Sequence, residues 1–249
     1  MIILKSSEEI RRLRRAGKLV ADAHALVAEM IRPGVTTAEL DEAVEQLIRK
    51  AGGIPTFKGY QGFPASICTS VDDEVIHGIP GSRRLEEGQI VSVDIGVTLD
   101  GFVGDSAWTY PVGAIAPDVQ RLLQTTEEAL YRGIEAARPG NRISDIGHAI
   151  QTWVERRGFS VVRDFVGHGV GREMHEEPQV PNFGPPGRGP RIKPGMCLAI
   201  EPMVTMGKHH VRILDDQWTA VTVDGSLAAH FEHTIIVTPD GPEILTRRE

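Results

Sequence analysis

Four acids in this chain stand on segments too apolar to be solvated. Asp94 lies in Ile90-Val-Ser-Val-Asp94-Ile-Gly-Val-Thr-Leu99, and Asp105 in Phe102-Val-Gly-Asp105-Ser-Ala-Trp108. Between these alternating runs, Asp100-Gly101 predicts a two-residue hairpin turn. That turn makes 99 face 102 and 96 face 105, so Asp94 and Asp105 share one sheet face as diagonal neighbours, about 7–8 Å apart. A slip of one residue would put them on opposite faces. Glu201 follows Leu198-Ala-Ile and precedes Pro202-Met-Val, and Glu232 sits mid-strand in His230-Phe-Glu-His-Thr-Ile-Ile-Val237. Carboxylates in such places need protons, cationic side chains or metal. Gathered together, they carry the charge that two divalent cations neutralise. His168, in Val166-Gly-His-Gly-Val-Gly171, offers a nitrogen donor; its glycines match neither GxGxxG nor the GxxxxGK(S/T) phosphate loop. One imidazole with four carboxylates suits Mn, Fe, Co or Zn, and is richer than Mg or Ca usually needs.

The elements that must position these residues come in two copies. Arg32-Pro33-Gly34 is followed by Ala38, Leu40, Ala43, Val44, Leu47, Ile48 and Gly52; Arg138-Pro139-Gly140 is followed in the same register by Ser144, Ile146, Ala149, Ile150, Trp153, Val154 and Gly158. This spacing predicts an amphipathic helix closed by glycine in each copy. Another helix precedes each Arg-Pro-Gly, carrying Ile10, Leu13, Gly17, Val20 and Val27 in the first and Leu122, Leu123, Leu130 and Ile134 in the second. Proline ends both, since it cannot continue the ladder. Alternating segments follow each helix pair. In the second copy they begin at Met196–Glu201, and runs at Trp218–Val223 and Leu227–Val237 flank Asp224-Gly225, which predicts a second hairpin. Two helices then antiparallel strands, done twice, predict an α+β chain with two related halves around one core. The Pro/Gly-rich stretch from about 181 to 194 reads as a surface loop.

Composition removes several classes. The chain has 249 residues, 41% hydrophobic and 24% charged, which excludes disordered and fibrous proteins. A net charge of −7 argues against gripping nucleic-acid phosphates as the main task. No apolar run reaches membrane-spanning length, and the N-terminus has neither a signal core nor transit-peptide character. Two cysteines, Cys68 and Cys197, suit a reducing compartment, so the chain reads as cytoplasmic. Arg11, Arg12, Arg14, Arg15 and Lys18 form a basic cluster on the first helix, by default a solvated face.

Asp94, Asp105 eleven residues on, His168, Glu201 in Ile-Glu-Pro-Met and Glu232 in Phe-Glu-His-Thr resemble the five metal ligands of type I methionine aminopeptidases, across nearly the whole chain. The 32 residues between His168 and Glu201 leave no room for the helical insertion of type II enzymes. The resemblance implies the pita-bread fold: residues 1–249 form a single catalytic domain, with halves of about 1–113 and 114–249 and helices outside a curved antiparallel sheet. It implies two divalent metal ions (Co, Mn, Fe or Zn), Asp94 on one, His168 and Glu201 on the other, and Asp105 and Glu232 bridging. Such a pair shares a water and lowers its pKa towards about 7; Glu201 takes its proton. His77 in Val75-Ile-His-Gly-Ile-Pro80 and His175 in Arg172-Glu-Met-His-Glu-Glu-Pro178 match the family's two non-ligand active-site histidines. Tyr60, Phe63, Cys68, Met174 and Trp218 match its methionine pocket, where sulfur and aromatic contacts suit a thioether. The implied activity is co-translational removal of the initiator methionine when the second residue is small. The implied partners are nascent polypeptide N-termini, with transient ribosome contact through the basic cluster, no membrane, no specific nucleic acid, and a monomeric chain.

Overall fold

In the computed structural model, which describes residues 1–248, helix α1 (Ser7–Met30) and helix α2 (Thr37–Lys50) each start at a capping box. Glu9 N–H donates to the Ser6 hydroxyl while Ser6 N–H donates to the Glu9 carboxylate, and Thr36 and Glu39 exchange the same two bonds. These satisfy amides that a helix start leaves open. The second helix pair starts differently. α3 (Pro117–Ala136) has proline in its first turn, where no amide donor is needed, and α4 (Ile143–Glu155) has the Asp145 carboxylate accepting from Arg142 N–H. α1 and α3 stop short of Pro33 and Pro139, because the residue before a proline is steered out of the helical region. Gly52 and Gly158, at the ends of α2 and α4, take φ of 79° and 83°, where a side chain would strain the backbone.

Strands of the first half are β1 (Ile54–Pro55), β2 (Ile67–Val71), β3 (Glu74–Ile76), β4 (Ile90–Leu99) and β5 (Phe102–Pro111). The second half begins with β6 (Ser160–Val161), β7 (Gly167–Gly169), β8 (Glu176–Val180), β9 (Cys197–Ile200) and β10 (Met203–Thr205). It ends with β11 (Val211–Ile213), β12 (Ala220–Thr222), β13 (Ala228–His230), β14 (His233–Thr238) and β15 (Gly241–Ile244). All pairings are antiparallel, in four hydrogen-bonded groups: β4 with β1, β2 and β5; β13-β10-β6; β11-β12-β3; and β15-β14-β9-β7-β8.

The first hairpin forms in the expected register, Leu99 opposite Phe102 and Gly96 opposite Asp105, with Asp100 and Gly101 at φ of 52° and 77°. The second does not form at Asp224-Gly225. β12 pairs with β11 and β3, and β13 with β10. Asp224 is occupied locally, its carboxylate accepting from Lys208 N–H, Ser226 N–H and the Ser226 hydroxyl. The run expected as one strand from Leu227 to Val237 is two, β13 and β14, and Glu232 falls in the break. Pro202, which has no amide to donate, stands in the matching break between β9 and β10. Ile200 pairs with His233 on one side and Met203 with His230 on the other, one continuous register. Glu201 and Glu232 therefore face each other in the gap.

Side chains stitch β5 to the second half. Thr234 Oγ1 donates to Asp105 O and accepts from Asp105 N–H, Ser106 Oγ donates to Glu232 O, and Glu232 N–H donates to Ala107 O. One apolar cluster joins α1 and α2 to β2 and β4; another joins α3 and α4 to β9 and β14. A third draws Leu13, Phe63, Phe102, Met174, Cys197 and Ile236 from both halves and forms the floor beside the acids. Each fully buried aliphatic or aromatic side chain contributes about 1.5–3 kcal/mol to holding this floor together.

Candidate active site

Asp94 lies opposite Cys68 on one side and Ala107 on the other, and Asp105 lies opposite Gly96, so the hairpin delivers both aspartates to one face. Glu201 and Glu232 reach the same cavity from the gap in the second half, and His168 from β7. His168 belongs to a short strand rather than a loop. Its flanking glycines serve close strand approach: a Cβ on Gly167 would lie 2.3 Å from Ala199 O, and one on Gly169 2.3 Å from Glu177 O. His168 Nδ1 is 2.9 Å from Gly169 O; a carbonyl only accepts, so Nδ1 carries the proton and Nε2 presents its lone pair. That Nε2 is 3.6 Å from Asp105 Oδ2 and 3.4 Å from Glu201 Oε1.

Burial and mutual repulsion dominate the electrostatics. Burial first, then each other's charges, push Asp94, Glu201 and Glu232 well above the usual carboxylate range, and burial brings Asp105 up to about 7. Burial takes His168 down to about 4, keeping it neutral.

Tyr60, Phe63, Cys68, Met174 and Trp218 line the same cavity, of about 160 Å³, together with His77 and His175. That is below the few hundred Å³ of a drug-sized ligand site and fits one side chain. Phe63 meets Trp218 edge-on with centroids 5.1 Å apart. His77 holds a left-handed φ of 62° with its ring edge-on to Phe165 and Trp218, and burial lowers its pKa to about 4. His175 Nδ1 is 2.8 Å from the Tyr60 hydroxyl, and its ring lies 4.3 Å from that of His168. Burial and the charge of Asp94 push the Cys68 thiol far up, so it offers no thiolate nucleophile.

The pattern of metallopeptidase family M24 matches residues 11–239. The chain belongs to that family. It is 58% identical to a methionine aminopeptidase 1 of Bacillus subtilis (strain 168), over 99% of this chain and 100% of that one. Among solved structures it resembles methionine aminopeptidases of Thermotoga maritima (TM-score 0.98, 48% identity, 100% of both chains) and Rickettsia prowazekii (TM-score 0.98, 43% identity, 99% of this chain and 100% of that one). These likenesses identify the α+β architecture as the pita-bread fold.

An M24 metallopeptidase needs a metal site, and the residues present fit one. Asp94 Oδ1, Asp105 Oδ1, Glu201 Oε1 and Glu232 Oε1 are buried without a hydrogen-bond partner. The ion pairs found among the described residues bring histidines to this cluster and no lysine or arginine. Asp105, His168 and Glu232 each place a donor atom within 4.8 Å of the others. Divalent cations satisfy such a nest and reverse the upward pKa shifts.

Three residues of this M24 site escaped the sequence reading. Phe57 and Gln61 line the cavity. His230 is fully buried, its Nε2 unpartnered, 3.8 Å from Glu201 Oε2. It stands two residues before Glu232, on the same face of an extended segment, which is a readable signal. The basic cluster on α1 is neutralised locally: Arg11 and Arg12 pair with Glu8, Arg14 with Glu243, Arg15 with Asp100 and Lys18 with Asp22. No helix among the described residues is long and apolar enough to cross a membrane.

Proposed function

We propose that the chain is a methionine aminopeptidase that removes the initiator methionine from nascent polypeptides, co-translationally and when the second residue is small. The observation that supports this best is one cavity in which four carboxylates, each with a buried oxygen lacking a hydrogen-bond partner, and a neutral His168 adjoin an apolar cup containing sulfur and aromatic rings. In this reading Asp94, Asp105, His168, Glu201 and Glu232 would together hold two divalent ions. When bound, the pair supplies an acidified water and Lewis-acid polarisation of the peptide carbonyl. The nitrogen donor favours Mn, Fe, Co or Zn over Mg and Ca.

The chain's own side chains do the rest. Phe63, Cys68, Met174 and Trp218 take the methionine side chain, and the cup's size excludes more than one residue. Glu201, its carboxylate lining the cavity, accepts the proton from the attacking water. The Tyr60 hydroxyl donates to His175 Nδ1, which leaves Nε2–H to donate to the peptide. His77, neutral, donates to the oxygen on which charge develops. Each such donor, held in place, is worth a few kcal/mol in the transition state.

The chain works as one catalytic domain of two matched halves, as a monomer in the cytoplasm; its two buried free thiols agree with a reducing compartment. Ribosome contact would run through the α1 cluster, a reading weakened by the pairing of those cations with acids. The deciding assay is Met release from Met-Ala-Ser, with Met-Leu-Ser and Ala-Pro as comparisons, across Mn, Fe, Co and Zn. Rapid cleavage of Met-Ala-Ser alone supports the proposal. Cleavage of Ala-Pro in its place would make the chain a prolidase-type M24 enzyme.

A further inference from the structure

Glu201 stands between two imidazoles. Its Oε1 is 3.4 Å from His168 Nε2, and its Oε2 is 3.8 Å from His230 Nε2. The five-residue set accounts for His168 only. His230 is 1% exposed and its Nε2 has no hydrogen-bond partner. An unsatisfied polar atom so deep is costly unless something occupies the space it faces. That space is shared: His230, Glu201 and Glu232 each place a donor atom within 4.8 Å of the others.

The spacing separates the options. At 3.8 Å the imidazole and carboxylate are too far apart for a hydrogen bond. Bonds of about 2.1 Å to one five-coordinate ion put neighbouring ligands about 3.0–3.6 Å apart. The His168–Asp105 separation of 3.6 Å falls in the same range. The backbone keeps His230 in place, because Thr109 Oγ1 accepts from His230 N–H and donates to His230 O, both at 2.8 Å.

We propose that His230 is a sixth ligand of the metal centre, its Nε2 joining oxygens of Glu201 and Glu232 on a divalent transition-metal ion. The centre then contains an imidazole on each side of Glu201 instead of one, a donor set that discriminates against Mg and Ca. The inference rests on the metal-centre reading given above.

The test loads the full metal-free chain with Co(II) to saturation and counts imidazole rings per chain by X-ray absorption, alongside calorimetric Co(II) titration. Wild type gives two rings. His230→Gln loses one ring and at least about tenfold in Co(II) affinity at one site, and His168→Gln loses the other ring. One ring in wild type, or an unchanged count and affinity in His230→Gln while His168→Gln loses a ring, overturns the sixth ligand and leaves the five-residue centre standing. No ring in wild type removes the metal-centre reading itself. Should His230→Gln fail to fold, the wild-type count decides alone.

Discussion

The two halves agree in their helices and part in their strands. Leu40, Val44 and Ile48 on α2 are 0% exposed, and so are Ile146, Ile150 and Val154 at the corresponding positions of α4. The strand pairs that carry the acids differ. In the first half β4 and β5 run unbroken for ten residues each around a two-residue turn. In the second, the β9–β10 and β13–β14 ribbon keeps one register but is cut at Glu201-Pro202 and Phe231-Glu232, and its turn is replaced by an excursion containing β11 and β12. The intact hairpin fixes Asp94 and Asp105 by pairing alone. The cut ribbon frees its residues from the ladder where carboxylates and imidazoles must converge. A helix layer repeated faithfully thus supports a strand layer in which one copy is regular and the other adapted to the site.

The largest effect should come from removing one acid from each half. Glu201→Ala and Asp94→Ala are each expected to lower Met-Ala-Ser turnover by about 10³-fold or more, with far-UV circular dichroism unchanged. A loss confined to one of them would break the equivalence of the halves at the site.

The helix layer predicts equality of another kind. Leu40→Ala and Ile146→Ala should each cost about 2–5 kcal/mol in denaturant unfolding, within about 1 kcal/mol of each other. A much smaller loss in one would mean its helix packs less firmly.

A pH measurement sharpens the contrast through two buried histidines, one from each half. Burial lowers His24, on α1, to about 4 and His233, on β14, to about 3, so both fold neutral. As pH falls below about 6.5 the unfolded chain takes up protons that the folded chain refuses, so stability present above 6.5 is lost on the way to about 4. The carboxylate cluster shifts the other way: its raised values make the metal-free fold bind more protons than the unfolded chain, which disfavours the fold as pH rises through about 4 to 7. Comparing variants isolates the histidine contribution. Between pH 7 and pH 4, His24→Gln should lose about 3 kcal/mol less than wild type. Parallel curves would mean that His24 is protonated within the fold.

Much of this was legible in the sequence, for identifiable reasons. The repeat around Arg-Pro-Gly is local patterning, which helix periodicity reports well. The first hairpin could be read because Asp-Gly accepts positive φ at both turn positions, which fixes register and hence the shared face of Asp94 and Asp105. Asp224-Gly225 gave the same signal and misled, because tertiary pairing of β12 with β3 of the other half outweighed the local preference. The β14–β15 hairpin turns at Pro239-Asp240 instead. Glu201 and Glu232 were recognisable, but not that they face each other across a break in the ribbon, which depends on the long-range pairing of β9 with β14 and β10 with β13. His230 was marked only by standing two residues before Glu232; that it faces Glu201 follows from the fold.

Counting ions tests the central claim most directly. After equilibrium dialysis against Mn(II), mass spectrometry should find two ions per wild-type chain, and Asp105→Ala and Glu232→Ala, one bridging acid from each half, should each lose at least one. Both variants keeping two ions at wild-type affinity would contradict a metal centre assembled from the two halves.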